Sequence, residues 1–528
     1  MVTWNFAAVW DAVAAEVPDR DAVVCGDRRL TWGELSERAH RFGAWLLEQG
    51  LRAGDKVAID LPNVPEYIEA FYGALVVGCV PVNVNYRYTA DEVHQLVDDS
   101  DAKVVVHTPD VATTVTDAVE RIEPASRPML LEVGEPYELA LAAVTLGPER
   151  ERPPSADDLI FIYTGGTTGM PKGVMWRNED LYLGLWVQAH PRDTDAPDPV
   201  AAARAGKRAG TRLPVSPLMH GAGLFNTLAT LSGGGTVVLL DGKGLDVELV
   251  WDTIEREDVR SITIVGDVFA RPLLDTLRAN PGRWDVSCLR VITSSGVIFS
   301  PDVKKGLIDE IPGLTILDTL GASEGLGPSN ASTAADETIT SARFRISDRV
   351  TVLNEETGEP VEPGSDETGL VAMGGFIPLG YYNDPVKTAS TFRTFAGKRY
   401  SIPGDYATVD ADGVVHLLGR GSACINTGGE KVYPDEVELE LRKHPGVFDC
   451  AVVGVPDPRF GEKVVAIVQV TEHHSLDDAE LATWCRRNLA GYKMPREWIF
   501  VDSLERSAAG KADHKRLRAV ALERLGLS

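Results

Sequence analysis

Thr164-Gly165-Gly166-Thr167-Thr168-Gly169-Met170-Pro171-Lys172-Gly173 follows the apolar run Leu159-Ile160-Phe161-Ile162-Tyr163. The apolar run reads as a buried strand. A strand that opens into glycine, threonine and one lysine is suited to holding phosphates. Glycine lets backbone N–H groups approach an anion, hydroxyls add donors, and the lysine supplies charge. This is not the Walker loop, in which Gly-Lys is followed by Ser or Thr. Here Pro171 precedes the lysine and Gly173 follows it.

Outward from this stretch, short strand-like runs alternate with amphipathic segments. The runs are Val57 to Leu61, Val80 to Val84, Val104 to His107, Leu159 to Tyr163, Thr236 to Leu240, Ser261 to Val265, Leu289 to Thr293 and Leu314 to Leu317. One helix is expected to start at Thr31, with Glu34 completing a capping box, and to stop at Gly50; Thr89-Ala90-Asp91-Glu92 opens another. Such alternation argues for parallel α/β layers. Residues 191–212 are polar and read as a mobile insertion. From about 345 the texture changes to short strands with Gly/Asp/Pro turns, a β-rich subdomain. After Gly419-Arg420-Gly421-Ser422 comes a compact α+β tail. In it, helices are expected at Asp435 to Lys443 and Leu476 to Ala490, and strands at Cys450 to Val455, Lys463 to Val470 and Trp498 to Val501. The fold class is therefore α/β: layered α/β subdomains and a β-rich subdomain, then a small α+β domain. A chain of 528 residues needs more than one core in any case.

Further motifs follow in order. Pro217-Leu218-Met219-His220-Gly221 carries a histidine in a turn, and Ser294-Ser295-Gly296-Val297-Ile298 follows a strand. Leu320-Gly321-Ala322-Ser323-Glu324-Gly325 offers a carboxylate, a hard oxygen ligand suited to Mg²⁺. Tyr400-Ser401-Ile402-Pro403-Gly404-Asp405 offers another, suited to a pair of adjacent hydroxyl donors. Asn426-Thr427-Gly428-Gly429-Glu430-Lys431 and Ser507-Ala508-Ala509-Gly510-Lys511 complete the set. In this order the motifs resemble those of the adenylate-forming superfamily: acyl-CoA synthetases, luciferases and the adenylation domains of peptide synthetases. The resemblance covers essentially the whole chain. The strings around 163–176, 419–438 and 490–496 look most like actinobacterial acyl-CoA synthetases, some of which activate steroid side-chain acids.

The resemblance implies a role for each motif. Thr164, Gly165, Gly166, Thr167, Thr168, Gly169 and Lys172 would hold the ATP phosphates. Ser295, Gly296 and Val297, with Leu320, Gly321, Ala322 and Ser323, would line the nucleotide slot. Leu320 stands where relatives carry an aromatic residue. Glu324 would hold Mg²⁺, Asp405 would accept from the ribose, and Arg420 would contact ribose or phosphate. Lys511 would bridge the substrate carboxylate and the α-phosphate. His220 would lie between the acyl pocket and the thiol path, and Gly428 and Gly429 would line the CoA thiol tunnel. Residues 1–420 would form the AMP-binding domain, and 421–528 a mobile domain that pivots at Ser422. The activity implied is ATP-dependent CoA ligation of a carboxylic acid, fatty or steroidal, with ATP, Mg²⁺ and CoA required. Small residues at Gly221, Ala222 and Gly223 suggest room for a large acid.

Two other readings stand beside this one. An aryl or amino-acid adenylating enzyme would pass the acyl group to another acceptor; it would show an acid for the substrate amine, for which Asp267 could be mistaken, and a carrier domain nearby, which the sequence does not show. An inactive nucleotide-binding regulator is the second, which intact Lys172, Glu324, Asp405 and Lys511 argue against. The formal net charge of −26 opposes bulk attraction to nucleic acid or an anionic membrane. The six cysteines are spread singly and fit a reducing cytoplasm. No basic-then-apolar leader opens the chain, and no run reaches membrane-spanning length. A homodimer is in keeping with the resemblance.

Overall fold

The computed structural model describes residues 4–146, 152–164, 171–189, 198, 200–201, 204, 210–240, 244–297, 299–336, 339, 343–427, 430–472, 474–487, 489–507 and 510–527. It is a mixed α/β structure with a large N-terminal part and a smaller C-terminal one. Two mostly parallel sheets dominate the former. The first has eight strands, in the order Gly325–Ser332, Thr315–Ala322, Val291–Ser295, Ser261–Ile264, Thr211–Pro214, Thr236–Leu239, Asp21–Cys25 and Arg28–Thr31. Only its two edge strands run antiparallel. The second has seven, in the order Gly380–Tyr381, Lys172–Arg177, Leu159–Thr164, Val80–Asn83, Lys56–Asp60, Ala102–His107 and Met129–Glu132.

The helix Pro65–Val76 is packed between these two sheets and is buried on every side. Apart from Glu66 and Glu69 its sequence is apolar or aromatic on every side, as such a position requires. Its two acids are held by cations: Arg28 donates to Glu66 at 2.6 Å and Arg38 to Glu69 at 2.9 Å. The helix Trp32–Glu48 crosses it closely, because a side chain at Gly73 would stand 2.5 Å from the Ala39 carbonyl oxygen. Its N-terminus is the expected capping box. The Thr31 hydroxyl accepts from the Glu34 N–H at 3.2 Å and the Glu34 carboxylate from the Thr31 N–H at 2.8 Å. The helix Ala90–Asp99 begins in the same way at Thr89.

A third, wholly antiparallel sheet of seven strands spans Phe344–Arg345 to Val414–Arg420. The last sheet, of five strands, runs Glu430–Val432, Ile425–Thr427, Gly461–Val470 and Val447–Asp457, with Glu497–Val501 parallel to Gly461–Val470. Helices Pro434–Arg442 and Asp478–Cys485 cover one face and His514–Arg524 the other.

Three expectations need correction. Residues 211–212 do not belong to a mobile insertion: Thr211–Pro214 is a central strand, with parallel neighbours on both sides. Its short apolar stretch and its charged Arg212 hide it from hydropathy. The predicted helix Leu476 to Ala490 is shorter, Asp478–Cys485: Asp477 caps its start by accepting from the Glu480 N–H at 2.9 Å, and Arg486 is its C-cap. The helix His514–Arg524 was not expected. It buries only Leu517 and Ala521, too narrow an apolar stripe to read as a periodicity.

Candidate active site

Thr164, Ser295 and Leu320 to Ala322 stand at the carboxyl ends of strands with parallel neighbours, where open α/β sheets leave a crevice. Ser295 ends Val291–Ser295, and Gly296 turns the chain away with φ of +89°. Leu320, Gly321 and Ala322 end Thr315–Ala322, and Ser323-Glu324 makes the turn into the edge strand. Leu320 packs against the core of the β-rich sheet. Thr164 and Lys172 face each other as the last pair of an antiparallel hairpin, so the phosphate-type loop joins two strands. Gly165, Gly166, Thr167, Thr168 and Gly169 lie outside the described residues, as do Ile298, Ala508, Ala509, Gly428 and Gly429.

Several polar groups, invisible as motifs, hold this crevice together. Asn83 is buried. It accepts from the Tyr163 N–H at 2.6 Å and donates to the Tyr163 carbonyl at 3.0 Å and the Met219 carbonyl at 2.6 Å. It thus ties the strand before the phosphate-type loop to the turn of His220. Asn63 donates to the Pro214 and Ser216 carbonyls and accepts from the Leu218 N–H at 2.8 Å. Gly173 lies under the Tyr163 ring, where a Cβ would come within 2.6 Å of it.

Lys172 is paired with Asp384, whose carboxylate is held below the usual range by that ammonium and by the Lys387 N–H. Buried Glu324 accepts from the Tyr381 hydroxyl at 2.8 Å, and the Trp176 indole N–H donates to the Ser323 carbonyl at 2.9 Å. The second Glu324 oxygen has no protein donor among the described residues. Asp405 and Arg420 stand directly opposite on antiparallel strands. The side chains of Arg420 and Ser422 lie outside the description.

Lys511 reaches the crevice from the C-terminal part. Gly510 lies where a Cβ would meet Val265 and Val268, at 3.3 and 3.5 Å, so its loop rests on the start of helix Gly266–Ala279. Across from it, burial and the charges of Lys511 and Arg87 bring the His220 pKa down to about 4. His220 is therefore a neutral imidazole at neutral pH. It stands at the N-cap of helix Gly221–Ser232.

Of the small residues after His220, Gly223 does not face open space. A Cβ on Gly223 would lie 2.3 Å from the Pro217 carbonyl oxygen, and one on Gly221 would lie 3.2 Å from the Phe225 ring. Gly223 is small because the helix starts tightly against its own turn. Asp267 is also committed: it accepts from the Ser300 N–H at 2.8 Å and from the Ser300 hydroxyl.

The sequence matches the AMP-binding enzyme family over residues 10–382, and the AMP-binding enzyme C-terminal domain over residues 436–511. The chain belongs to the AMP-binding enzyme family. This AMP-binding enzyme is 41% identical to a medium/long-chain-fatty-acid–CoA/3-oxocholest-4-en-26-oate–CoA ligase of Mycobacterium marinum, over 97% of this chain and 96% of that one. A 3-oxocholest-4-en-26-oate–CoA ligase of Rhodococcus rhodochrous is also 41% identical, over 97% of this chain and 95% of its own. Among solved structures, ATP-bound MatB from Rhodopseudomonas palustris superposes with a TM-score of 0.83 at 25% identity, over 98% of this chain and 99% of that one. The anthranilate CoA ligase AuaEII shares the fold, with a TM-score of 0.84 at 22% identity over 100% and 99% of the two chains. The present AMP-binding enzyme is an acid–thiol ligase of the AMP-forming type, with ATP and CoA as co-substrates. No helix among its described residues is long and apolar enough to cross a membrane.

Proposed function

We propose that this AMP-binding enzyme converts a fatty acid or a steroid side-chain acid to its acyl-AMP and then to its CoA thioester. The observation that carries this reading is the docking of the Lys511 loop on Val265 and Val268, which brings the lysine to the crevice of His220. The names of the 41% identical relatives support the choice of acids.

In the first half-reaction a carboxylate oxygen attacks the α-phosphorus of ATP. The new O–P bond forms as the bond to pyrophosphate breaks. Lys511 and Lys172 offset the negative charge that develops. Thr164, Thr167 and Thr168 hold the β- and γ-phosphates, while Ser295, Gly296 and Val297 with Leu320 to Ser323 line the nucleotide slot. Asp405 accepts from the ribose hydroxyls, with Arg420 opposite.

Glu324 is the residue that would hold Mg²⁺. One buried carboxylate with a second oxygen to spare suits an ion that is otherwise bound by phosphates and water. When bound, that ion neutralises phosphate charge.

In the second half-reaction the CoA sulfur attacks the acyl carbonyl. The C–S bond forms and AMP leaves. Lys511 is not needed there. Rotation of residues 421–528 against 1–420 about Ser422 would withdraw it and bring Gly428 and Gly429 to the crevice. Lys511→Ala is expected to lose adenylation while still converting supplied acyl-AMP and CoA to thioester; equal loss of both halves would refute the alternation.

AMP and pyrophosphate release, measured with Mg-ATP and CoA over a panel of short, medium and long fatty acids, aryl acids and steroid side-chain acids, tests the whole reading. CoA-dependent turnover of one aliphatic or steroidal class is expected. Turnover that ignores CoA would point to another acceptor and overturn it. The singly scattered cysteines support a cytoplasmic location, which cell fractionation checks. A homodimer is proposed as the assembly, to be read by light scattering.

A further inference from the structure

Residues 380–384 run along the edge of the second sheet and touch two groups of the crevice, Lys172 and Glu324. Strand Gly380–Tyr381 pairs with Lys172–Arg177, and the Tyr382 N–H extends that pairing by donating to the Gly173 carbonyl at 2.8 Å. The Tyr381 hydroxyl reaches Glu324 at 2.8 Å. Three residues on, Asp384 starts the helix Pro385–Thr391, where its Oδ1 accepts from the Lys387 N–H at 2.8 Å. Its Oδ2 is paired with the Lys172 ammonium. One carboxylate thus caps a helix with one oxygen and holds the lysine of the phosphate-type loop with the other.

Lys172 stands among acids. Asp99 ends helix Ala90–Asp99 and Asp101 follows it, and each has a tyrosine as donor. The Tyr163 hydroxyl donates to Asp99 Oδ2 at 2.6 Å and the Tyr382 hydroxyl to Asp101 Oδ2 at 2.7 Å. Burial raises the Asp99 pKa; the Tyr163 hydrogen bond and the Lys172 charge oppose that, and the Asp101 and Asp384 charges add to it. The Asp384 and Lys172 side chains are 25% and 40% exposed, so water can replace the ammonium at Asp384 Oδ2. Opening a pair of this kind costs little. A triphosphate carries more negative charge than one carboxylate and would draw the lysine away. Asp384 remains beside it, and its charge opposes the incoming anion.

We propose that Asp384 is a positioning residue that competes with the ATP phosphates for Lys172. It parks the ammonium in the empty site, yields it to the triphosphate and takes it back as pyrophosphate leaves. This role rests on the ligase reading above, in which Lys172 meets phosphate. Thr164, directly across the hairpin from Lys172, belongs in that reading to the β- and γ-phosphates, so those are the groups competed with. Asp384 thereby weakens ATP binding and hastens the departure of pyrophosphate.

Asp384→Asn isolates the charge, because asparagine caps a helix about as well as aspartate. Calorimetric binding of Mg-ATP, magnesium pyrophosphate and AMP to the full-length enzyme, without acid or CoA, reads the effect. Asp384→Asn should bind ATP and pyrophosphate about two- to fivefold more tightly, the range of an exposed ion pair, and the gain should shrink as salt is raised. AMP lacks the competing phosphates, so its affinity should stay unchanged, and Tm should change little. Asp384→Ala, which loses the cap as well, should lower Tm and still show the ATP gain. In the Lys172→Met background, where nothing is left to compete for, the gain from Asp384→Asn should be smaller. In turnover, KM for ATP should fall while kcat does not rise.

Weaker or unchanged ATP binding by Asp384→Asn would make Asp384 a support or a helix cap and overturn the proposal. Equal gains for ATP and AMP, or equal gains with and without Lys172, would mean general repulsion and overturn it as well. The expected shifts without CoA-dependent turnover of any acid would leave this inference standing and sink the ligase reading. Turnover to the CoA thioester with ATP affinity indifferent to Asp384→Asn would do the reverse.

Discussion

Arg506 shows what one side chain contributes to placing another. Its Nε and Nη2 engage Asp449 at 2.5 and 2.9 Å, Nη2 also donates to the Cys450 carbonyl at 3.0 Å, and Nη1 donates to the Gly510 carbonyl at 3.1 Å. The planar fork therefore fixes the backbone next to Lys511 against the C-terminal sheet. A lysine keeps the charge but has no fork. Arg506→Lys is expected to slow acyl-AMP formation about tenfold or more, since small displacements of a reacting group are costly. Thioester formation from supplied acyl-AMP should hardly change. Single-turnover measurements of the two halves check this, and equal slowing of both would remove Arg506 from the positioning of Lys511.

At the scale of the element, helix Gly221–Ser232 starts from a turn so tight that Gly223 has no room for a side chain. The obstacle is the Pro217 and Ser216 backbone, which cannot swing aside as a flexible side chain would. Gly223→Ala should therefore destabilise the fold by about 1–3 kcal/mol, the usual cost of overpacking, and shift His220. Thermal unfolding reads the first effect and kcat/KM the second. Helices of this enzyme were legible where their signals are local. The capping boxes at Thr31 and Thr89 close over three residues, and both helices start where those residues stand. The helix His514–Arg524 was not legible, because what holds it is contact with the sheet and not its own pattern.

Over the whole molecule, proton binding couples the His220 crevice to stability. His220 titrates near 4 in the folded state, against about 6.5 for an unperturbed histidine. Between those values the unfolded chain holds the proton and the folded chain does not. Stability therefore falls as the pH drops through this window, by the His220 contribution, and is independent of it above. The groups that hold the imidazole neutral are burial, Lys511 and Arg87. His220→Gln is expected to lose less Tm than the wild type on going from pH 7 to pH 5. An equal loss in both proteins would mean that His220 is exposed to solvent in solution.

The motifs, their order and the alternation of strands and helices are properties of neighbouring residues, and the sequence by itself determined them. So were the α/β class and the family. What joins distant segments was decided only by the tertiary structure. Asn83 binds Tyr163 and Met219, 80 and 136 residues away, and Lys172 meets Asp384 across 212. Asp405 and Arg420 were both singled out, but their direct opposition follows from strand register. Arg212 read as part of a polar insertion and proved to lie on a central strand with parallel neighbours on both sides. A hydrogen bond across such separations depends on backbone closure that no local pattern encodes. Gly223 shows the converse: it suggested space, and the folded chain fills that space with the Pro217 and Ser216 carbonyl groups.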